Sequence, residues 1–244
     1  MSINKSDVLV LVPALNEEES VRPVLESLKQ HGYSVLLISD GSTDGTADIG
    51  RDAGVAVLEL PMNLGVGGAL RAGFRYACKR GFSAVVQVDA DGQHPAAGIE
   101  DLVRACNETG ADMVIGSRFL DDAAQMKVRG IRRLAMAILA RSASAACGTR
   151  ITDSSSGFRL IREPLLSQFA LQFANNYLGD TYEAVVSAGR SGYKVVEVPA
   201  DLRDRTHGES TASTGSAVRF TLKGIGVALL GFHKQLNRPE ASGR

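Results

Sequence analysis

The chain of 244 residues carries three cysteines, no net charge and no long hydrophobic run. Each of these lacks excludes something. Cys78, Cys106 and Cys147 are odd in number, widely spaced and without a Cys-x-x-Cys pair. That leaves neither a disulfide framework nor a zinc site, and points to a reducing cytoplasm. Lys and Arg together number 27, as do Asp and Glu, which argues against a generally basic nucleic-acid binder and against an acidic disordered chain. The first apolar run, Val8 to Pro13, is too short for a signal-peptide core or a membrane span. The nearest approach to a span, Val218 to Phe232, is interrupted by Arg219, Thr221 and Lys223. The chain is therefore expected to be soluble or to lie on a surface, not to cross a bilayer. What is present, 44% hydrophobic and 22% charged residues, describes an ordinary globular protein with a sizeable core.

Short apolar runs alternate with longer amphipathic segments through the first half. The runs are Val8–Val12, Val35–Ser39, Ala56–Leu60, Ala84–Val88 and Met113–Ile115, rich in Val, Ile and Leu and bounded by Gly, Pro, Asp or Asn. They read as buried parallel strands. Between them Glu17–Gln30, Thr43–Asp52, Gly67–Lys79 and Ile99–Glu108 are long enough for helices. Such alternation predicts a doubly wound α/β sheet, whose ligand lies outside the carboxyl ends of the strands. Further on, helices are expected over Ile131–Cys147, Leu165–Phe173 and Thr181–Ser191, a loop over 153–159 and a strand over Val195–Val198. Arg203–Ser216 reads as a mobile polar loop. No internal repeat or clean linker divides the chain, so a single domain is expected.

Four loops at the predicted ligand-facing edge gather polar, acidic and glycine residues. Asp89-Ala90-Asp91 leads them. On extended backbone, side chains at i and i+2 share a side, so both carboxylates can face one Mg²⁺ or Mn²⁺. Gln93 repeats the spacing and His94 adjoins it; a bare acidic pair is otherwise a solvated turn. Asp40-Gly41-Ser42-Thr43-Asp44-Gly45-Thr46 reads equally as a helix-entry turn capped by Ser42 or Thr43 and as a carboxylate for a base or ribose. Gly65-Val66-Gly67-Gly68 could let backbone approach phosphate. Leu70, however, breaks the G-x-G-x-x-G pattern, and the loop follows the third strand, so a dinucleotide site is disfavoured.

Taken together, residues from about 8 to 119 resemble a family 2 glycosyltransferase of GT-A fold, most closely its dolichol-phosphate-mannose-synthase-like, or polyprenyl-phosphate glycosyltransferase, branch. The resemblance rests on Pro13-Ala14-Leu15-Asn16-Glu17, the Ser39 to Thr46 run, Asn63-Leu64-Gly65, Asp89 to Pro95 and Gly116-Ser117-Arg118-Phe119. Asp153 to Arg159, and Arg205 with Gly208 and Ser210, extend it more loosely. It implies a GT-A (Rossmann-like) α/β fold with a mostly parallel sheet flanked by helices. Residues 8–119 would form a nucleotide-sugar-binding half, 120–215 an acceptor-binding half, and 216–244 a C-terminal helix and tail. Pro13, Leu15, Glu17, Ile38, Asp40, Asp89, Ala90, Arg118 and Arg205 would hold a nucleotide-diphosphate sugar, UDP- or GDP-linked. Asp91 and Gln93, with Asp89, would hold Mg²⁺ or Mn²⁺, and Arg118 and Arg205 would approach the diphosphate or acceptor phosphate. Leu15 stands where an aromatic is frequent, Ser39 replaces the first acid of an Asp-Asp pair, and no lysine follows Ser210.

The implied reaction is inverting transfer of a sugar to a polyprenyl phosphate, with Asp91 and Arg118 in the catalytic machinery. A hydroxyl acceptor would require a base. Asp180 is the candidate, although it reads equally as a helix N-cap. Residues 118–150 carry seven basic residues against Asp121 and Asp122. They suit an anionic acceptor, a membrane face or a solvated helix face. Phe220–Phe232 could rest at a bilayer or dock on its own domain, and Arg159 could meet phosphate or a carboxylate. The implied location is cytoplasmic, peripheral on the membrane face; a homo-oligomer stays open. Two further readings are a phosphotransferase with Asp89 as nucleophile and a nucleotide-sugar-binding module without turnover.

Overall fold

The computed structural model of the chain describes residues 2–120, 131–173, 180–201 and 236, with the side chains of 131–135 and 180 set aside. Strand β1 (Val8–Ala14) is apolar on both faces because both are covered. Leu9 and Leu11 enter one core cluster, and Val8, Val10 and Val12 enter the other. A strand buried on both sides reads as an unbroken apolar run, and β2 (Ser34–Ser39), β4 (Ala84–Gln87) and β5 (Met113–Ser117) follow the same rule. The short β3 (Ala56–Glu59) closes one edge and β7 (Val195–Pro199) the other. The sheet has seven strands in the order β3-β2-β1-β4-β6-β5-β7.

Helices α1 (Val21–Gln30) and α4 (Gly98–Thr109) cover one face through Val24, Leu25, Leu28, Ile99 and Leu102. The other face receives α3 (Gly65–Arg80), α6 (Leu165–Gln172) and α7 (Asp180–Arg190), with α5 (Ile131–Cys147) packed on α7. The helix α2 (Thr46–Asp52) lies between β2 and β3 in the chain. At the centre of the second face Phe74 is fully buried, its ring 5.0 Å edge-on from Phe173 and 5.9 Å from Phe169. Among the described residues no helix is long and apolar enough to cross a membrane. The three cysteines are free.

The chain runs β1, β2, β3 outward on one side and then returns to place β4 on the other side of β1. That reversal opens a crevice at the carboxyl ends of β1 and β4, where open α/β sheets bind ligands.

Two sequence expectations are corrected. The segment after residue 158 is not all connection: Arg159–Arg162 forms β6, antiparallel to β4 on one side and β5 on the other. Only Leu160 and Ile161 are apolar there, one facing each core cluster, too short a signal to separate from a loop. Helices α1 and α2 also start later than their amphipathic patterns imply, at Val21 and Thr46. Residues 15–20 and 40–45 instead bind one another. Residues 121–130 of the expected basic segment 118–150, the Arg203–Ser216 loop and the Phe220–Phe232 helix lie outside the described residues.

Replacing Phe74 by Ala removes a ring from a close-packed core and is expected to cost about 3–5 kcal/mol. Denaturant unfolding with an unchanged m value measures the loss.

Candidate functional site

The loops after β1 and β2 are fastened together by side chains. Asn16, at φ 54°, donates its main-chain N–H to Ser42 Oγ at 3.1 Å, and its Oδ1 accepts the Thr43 N–H at 2.9 Å. The Glu17 N–H donates to Thr46 Oγ1 at 2.8 Å, and Glu18 Oε2 accepts the Gly45 N–H at 2.8 Å. The N-cap of α2 is Gly45, and Asp44 just before it accepts the N–H of the first helical residue, Thr46, on Oδ1 at 3.0 Å. Neither Ser42 nor Thr43 caps it, because both serve Asn16. Burial pushes the Asp44 carboxyl up, but the bonds it accepts from Thr46 and Glu18 outweigh this and hold it below its usual value.

Asp40 is buried, and its Oδ1 accepts the Leu64 N–H at 2.8 Å at the entry to α3. Gly41 has φ +72°, and a Cβ there would stand 2.5 Å from the Asn63 nitrogen. The glycine of the Asp-Gly pair is thus required by a close main-chain approach as well as by its φ. Pro13 and Glu17 are half-buried and Leu15 is exposed at this edge. Glu17 accepts the Ser20 hydroxyl. Ile38 is placed otherwise: its side chain is fully buried in the core cluster that includes Phe74. It can present main chain, not side chain, to a ligand.

Beyond β4 the chain turns through Asp89, Ala90 and Asp91. The Asp89 side chain keeps 39% exposure, whereas Ala90 and Asp91 are buried. Asp91 Oδ1 accepts the Gln93 N–H at 3.1 Å. His94 folds back so that its Nδ1 accepts the Asp89 N–H at 3.2 Å while its ring stacks on Phe158 at 5.0 Å. Burial lowers the His94 pKa from its usual 6.5, against the pull of Asp89 and Asp91. The neutral ring with an unprotonated Nδ1 satisfies both burial and the hydrogen bond. Gly157 presses on the same carboxylate: a Cβ there would lie 2.6 Å from Asp89 Oδ2.

Arg118 follows β5 at the same edge. Its Nε and Nη2 donate to Asp153 Oδ2 and Oδ1 at 2.6 and 2.9 Å, the bidentate geometry suited to a guanidinium. Hydrogen bonding to Asp153 raises the Arg118 pKa, and the negative charge of Asp89 adds to it. Beneath Asp153, Glu197 on β7 accepts the Asp153 and Thr152 N–H groups at 2.8 and 2.7 Å. Burial pushes its carboxyl up, and the bonds it accepts pull partly back.

The sequence-derived candidates therefore converge in part. Leu15, Glu17, Asp40, Asp89, Ala90, Asp91, Gln93 and Arg118 lie on loops at the carboxyl edge, and Pro13 is near the end of β1 beside them. Asp180 opens α7, with its side chain outside the described residues, as is Arg205. Arg159 is not at the surface: it is buried, its guanidinium donating to the Thr181 and Ser156 carbonyls. Sequence reasoning missed the roles of Asp153, Gly157 and Glu197. Asp153 and Gly157 sat within the Asp153 to Arg159 motif and were readable as a group, while Glu197 carried no signal in a strand of Val and Pro.

An oxygen-only donor set of Asp89, Asp91 and Gln93 fits a hard divalent cation, which takes few protein ligands and completes its shell with water and phosphate. Among the described residues no group of three or more His, Cys, Asp and Glu is arranged to hold a metal ion. A closed, all-protein cage is thus absent among them.

A family model described as glycosyl transferase family 2 matches residues 9–170. The chain is 32% identical over 216 residues to an undecaprenyl-phosphate mannosyltransferase of Micrococcus luteus, covering 85% of this chain and 88% of that protein. It is 30% identical over 245 residues to a polyprenol monophosphomannose synthase of Mycolicibacterium smegmatis, covering 94% and 89%. Glucosyl-3-phosphoglycerate synthase from Mycobacterium tuberculosis, solved with Mn²⁺, UDP and phosphoglyceric acid, superposes with a TM-score of 0.69 at 21% identity. The match covers 93% of this chain and 78% of that one, and it establishes the shared GT-A fold.

Protonating His94 would forfeit its Nδ1 acceptor. With the pKa depressed in the folded state, this contribution to stability is complete above 6.5 and is lost as pH falls through the folded-state value. Thermal midpoints at about pH 7.5 and about pH 5 should show a loss worth roughly 1 kcal/mol that is reduced in His94→Asn. Identical pH slopes in the two proteins would refute it.

Proposed function

The chain belongs to glycosyl transferase family 2, and from that premise we propose that it transfers a sugar from a nucleotide-diphosphate sugar to a polyprenyl phosphate. The observation that carries this reading is the meeting, at one sheet edge, of Asp89 and Asp91 with an Arg118 fixed by a buried carboxylate. The two relatives named for transfer to or synthesis of polyprenyl-linked mannose support the acceptor class. In this reading the loops after β1 and β2 receive the nucleoside, with Pro13, Leu15, Glu17 and Asp40 around it. The sugar lies toward Asp89 and Arg118, and residues beyond 120 receive the acceptor.

The chemistry follows from charge. Breaking the bond between sugar and diphosphate builds negative charge on the leaving nucleotide, and a cation preorganised at that point lowers the barrier. Arg118 supplies one such charge. A divalent ion held by Asp91 and Gln93, with Asp89, would supply Lewis-acid stabilisation of the same oxygens. Displacement by the acceptor from the opposite face inverts the anomeric centre. A lipid phosphate has a second pKa near 6 and is largely ionised at neutral pH. It therefore needs positioning by cations but no strong base. A hydroxyl acceptor would need one, and the opening of α7 at Asp180 is where this chain offers it. A lipid acceptor also requires the protein to work at a membrane surface, on the cytoplasmic side where nucleotide sugars are held.

Thermal shift against UDP- and GDP-sugars, with and without Mn²⁺, tests the donor half. Stabilisation by one nucleotide class, dependent on metal and weakened in Asp91→Ala, is the expected result. No response by folded protein to any nucleotide would sink the proposal. Transfer to undecaprenyl phosphate in detergent tests the acceptor half. In the same assay Gly157→Ala should lose about 10–100-fold in kcat/KM, because a Cβ at that point forces the Asp89 carboxylate aside. Wild-type rates in that variant would place Asp89 outside the reaction.

A further inference from the structure

Asp153 makes four hydrogen bonds with one carboxylate. Oδ2 accepts from Arg118 Nε at 2.6 Å and from the Arg118 main-chain N–H at 3.3 Å. Oδ1 accepts from Arg118 Nη2 at 2.9 Å and from Ser155 Oγ at 2.9 Å. The Asp153 side chain is 0% exposed, against 36% for Arg118. A buried carboxylate with its lone pairs engaged is poorly placed to ligate an ion. It can fix the plane of a guanidinium.

The turn that carries Asp153 is itself tied down twice. Glu197 Oε1 accepts the Asp153 N–H at 2.8 Å, and Oε2 accepts both the N–H and the hydroxyl of Thr152 at 2.7 and 2.8 Å. Thr152 Oγ1 also lies 2.7 Å from the hydroxyl of Ser117, the residue before Arg118. The clamp therefore spans β5, the 152–155 turn and β7, and is not a chance surface pair. It engages the Nε–Nη2 edge of Arg118, while Nη1 makes no hydrogen bond among the described residues. The engaged edge sets where the other one points.

We propose that Asp153, supported by Glu197, is a positioning residue for transfer: it holds Arg118 by one edge so that Nη1 is presented to a phosphate oxygen beside Asp89. The proposal rests on the reading above that Arg118 serves the substrate phosphates. The geometry also distinguishes Asp153 from Asp89: its carboxylate is buried against Arg118, whereas that of Asp89 keeps 39% exposure. A guanidinium suits the task because one edge can be bound by protein and the other by ligand, which a lysine ammonium cannot reproduce.

Initial rates with GDP-mannose and with UDP-glucose, each with undecaprenyl phosphate in detergent, provide the test. Asp153→Asn, which keeps the shape but weakens the clamp, should lower kcat by about 10–100-fold, the size of effect seen when an outer-shell partner is removed. The donor KM should stay within about threefold, because the Arg118 charge remains. Arg118→Ala should lose at least as much, and the double variant should match Arg118→Ala alone, since the two residues act as one unit. Multiplying losses in the double variant would overturn the positioning role while leaving the function standing. An unaffected Arg118→Ala, or wild-type protein inert toward both donors, would instead overturn the functional reading. Should Asp153→Asn fail to fold, Ser155→Ala removes one bond to the carboxylate and one to Nη2 from an exposed position. It should cost about 2–10-fold in kcat at an unchanged thermal midpoint, and no loss would count against the clamp.

Discussion

Everything at the carboxyl edge depends on where β6 enters the sheet. Arg159 pairs with Gln87 on one side and with Ile115 on the other, so the strand begins level with the end of β4 and with the middle of β5. Because β6 is antiparallel to both, the loop that precedes it, not the one that follows, lies over the site. That puts Gly157 against Asp89 and Asp153 against Arg118. Ser156 Oγ on the same loop donates to the Gly116 carbonyl at 2.7 Å, which joins the loop to β5. A parallel strand in this place would have started at the opposite edge and carried these residues away.

On the other side of the crevice the same economy of short side chains appears. The side chains of Asn16, Glu18, Ser42, Asp44 and Thr46 accept hydrogen bonds from main-chain N–H groups of the two loops. Asn, Asp, Ser and Thr compete well with helix at its ends and poorly in its interior. The delay of α1 and α2 leaves open loops around Pro13 and Asp40, room that a nucleoside would need. The acidic edge is thus ordered before any ligand arrives, with Asp40 holding the Leu64 N–H at the entry to α3 and His94 holding the Asp89 main chain.

Charge is distributed with similar logic. Arg118 sits between a buried carboxylate that fixes it and a partly exposed one that faces outward. Glu197 adds a further acidic group behind Asp153, held by main-chain donors. The zero net charge of the chain therefore conceals a local alternation of acid and base, arranged from the interior toward solvent.

Much of this was legible in the linear chain. Apolar runs bounded by glycine and acids located β1, β2, β4 and β5, because a doubly covered strand has no polar face to obscure it. The loops after them were recognisable because polar, acidic and glycine residues follow one strand after another at the same edge of the sheet. The sequence alone therefore determined the family, the parallel half of the sheet and the group of residues around the crevice. Only the tertiary structure decided that Arg159–Arg162 is a strand, that Ile38 is core, and that Asp153 belongs to Arg118. Each of those turns on a neighbour distant in the chain: Arg118 and Asp153 are 35 residues apart, and Glu197 is a further 44 from Asp153. Local pattern records what a residue prefers, but a hydrogen-bond partner is chosen by the packing of strands that local pattern does not register.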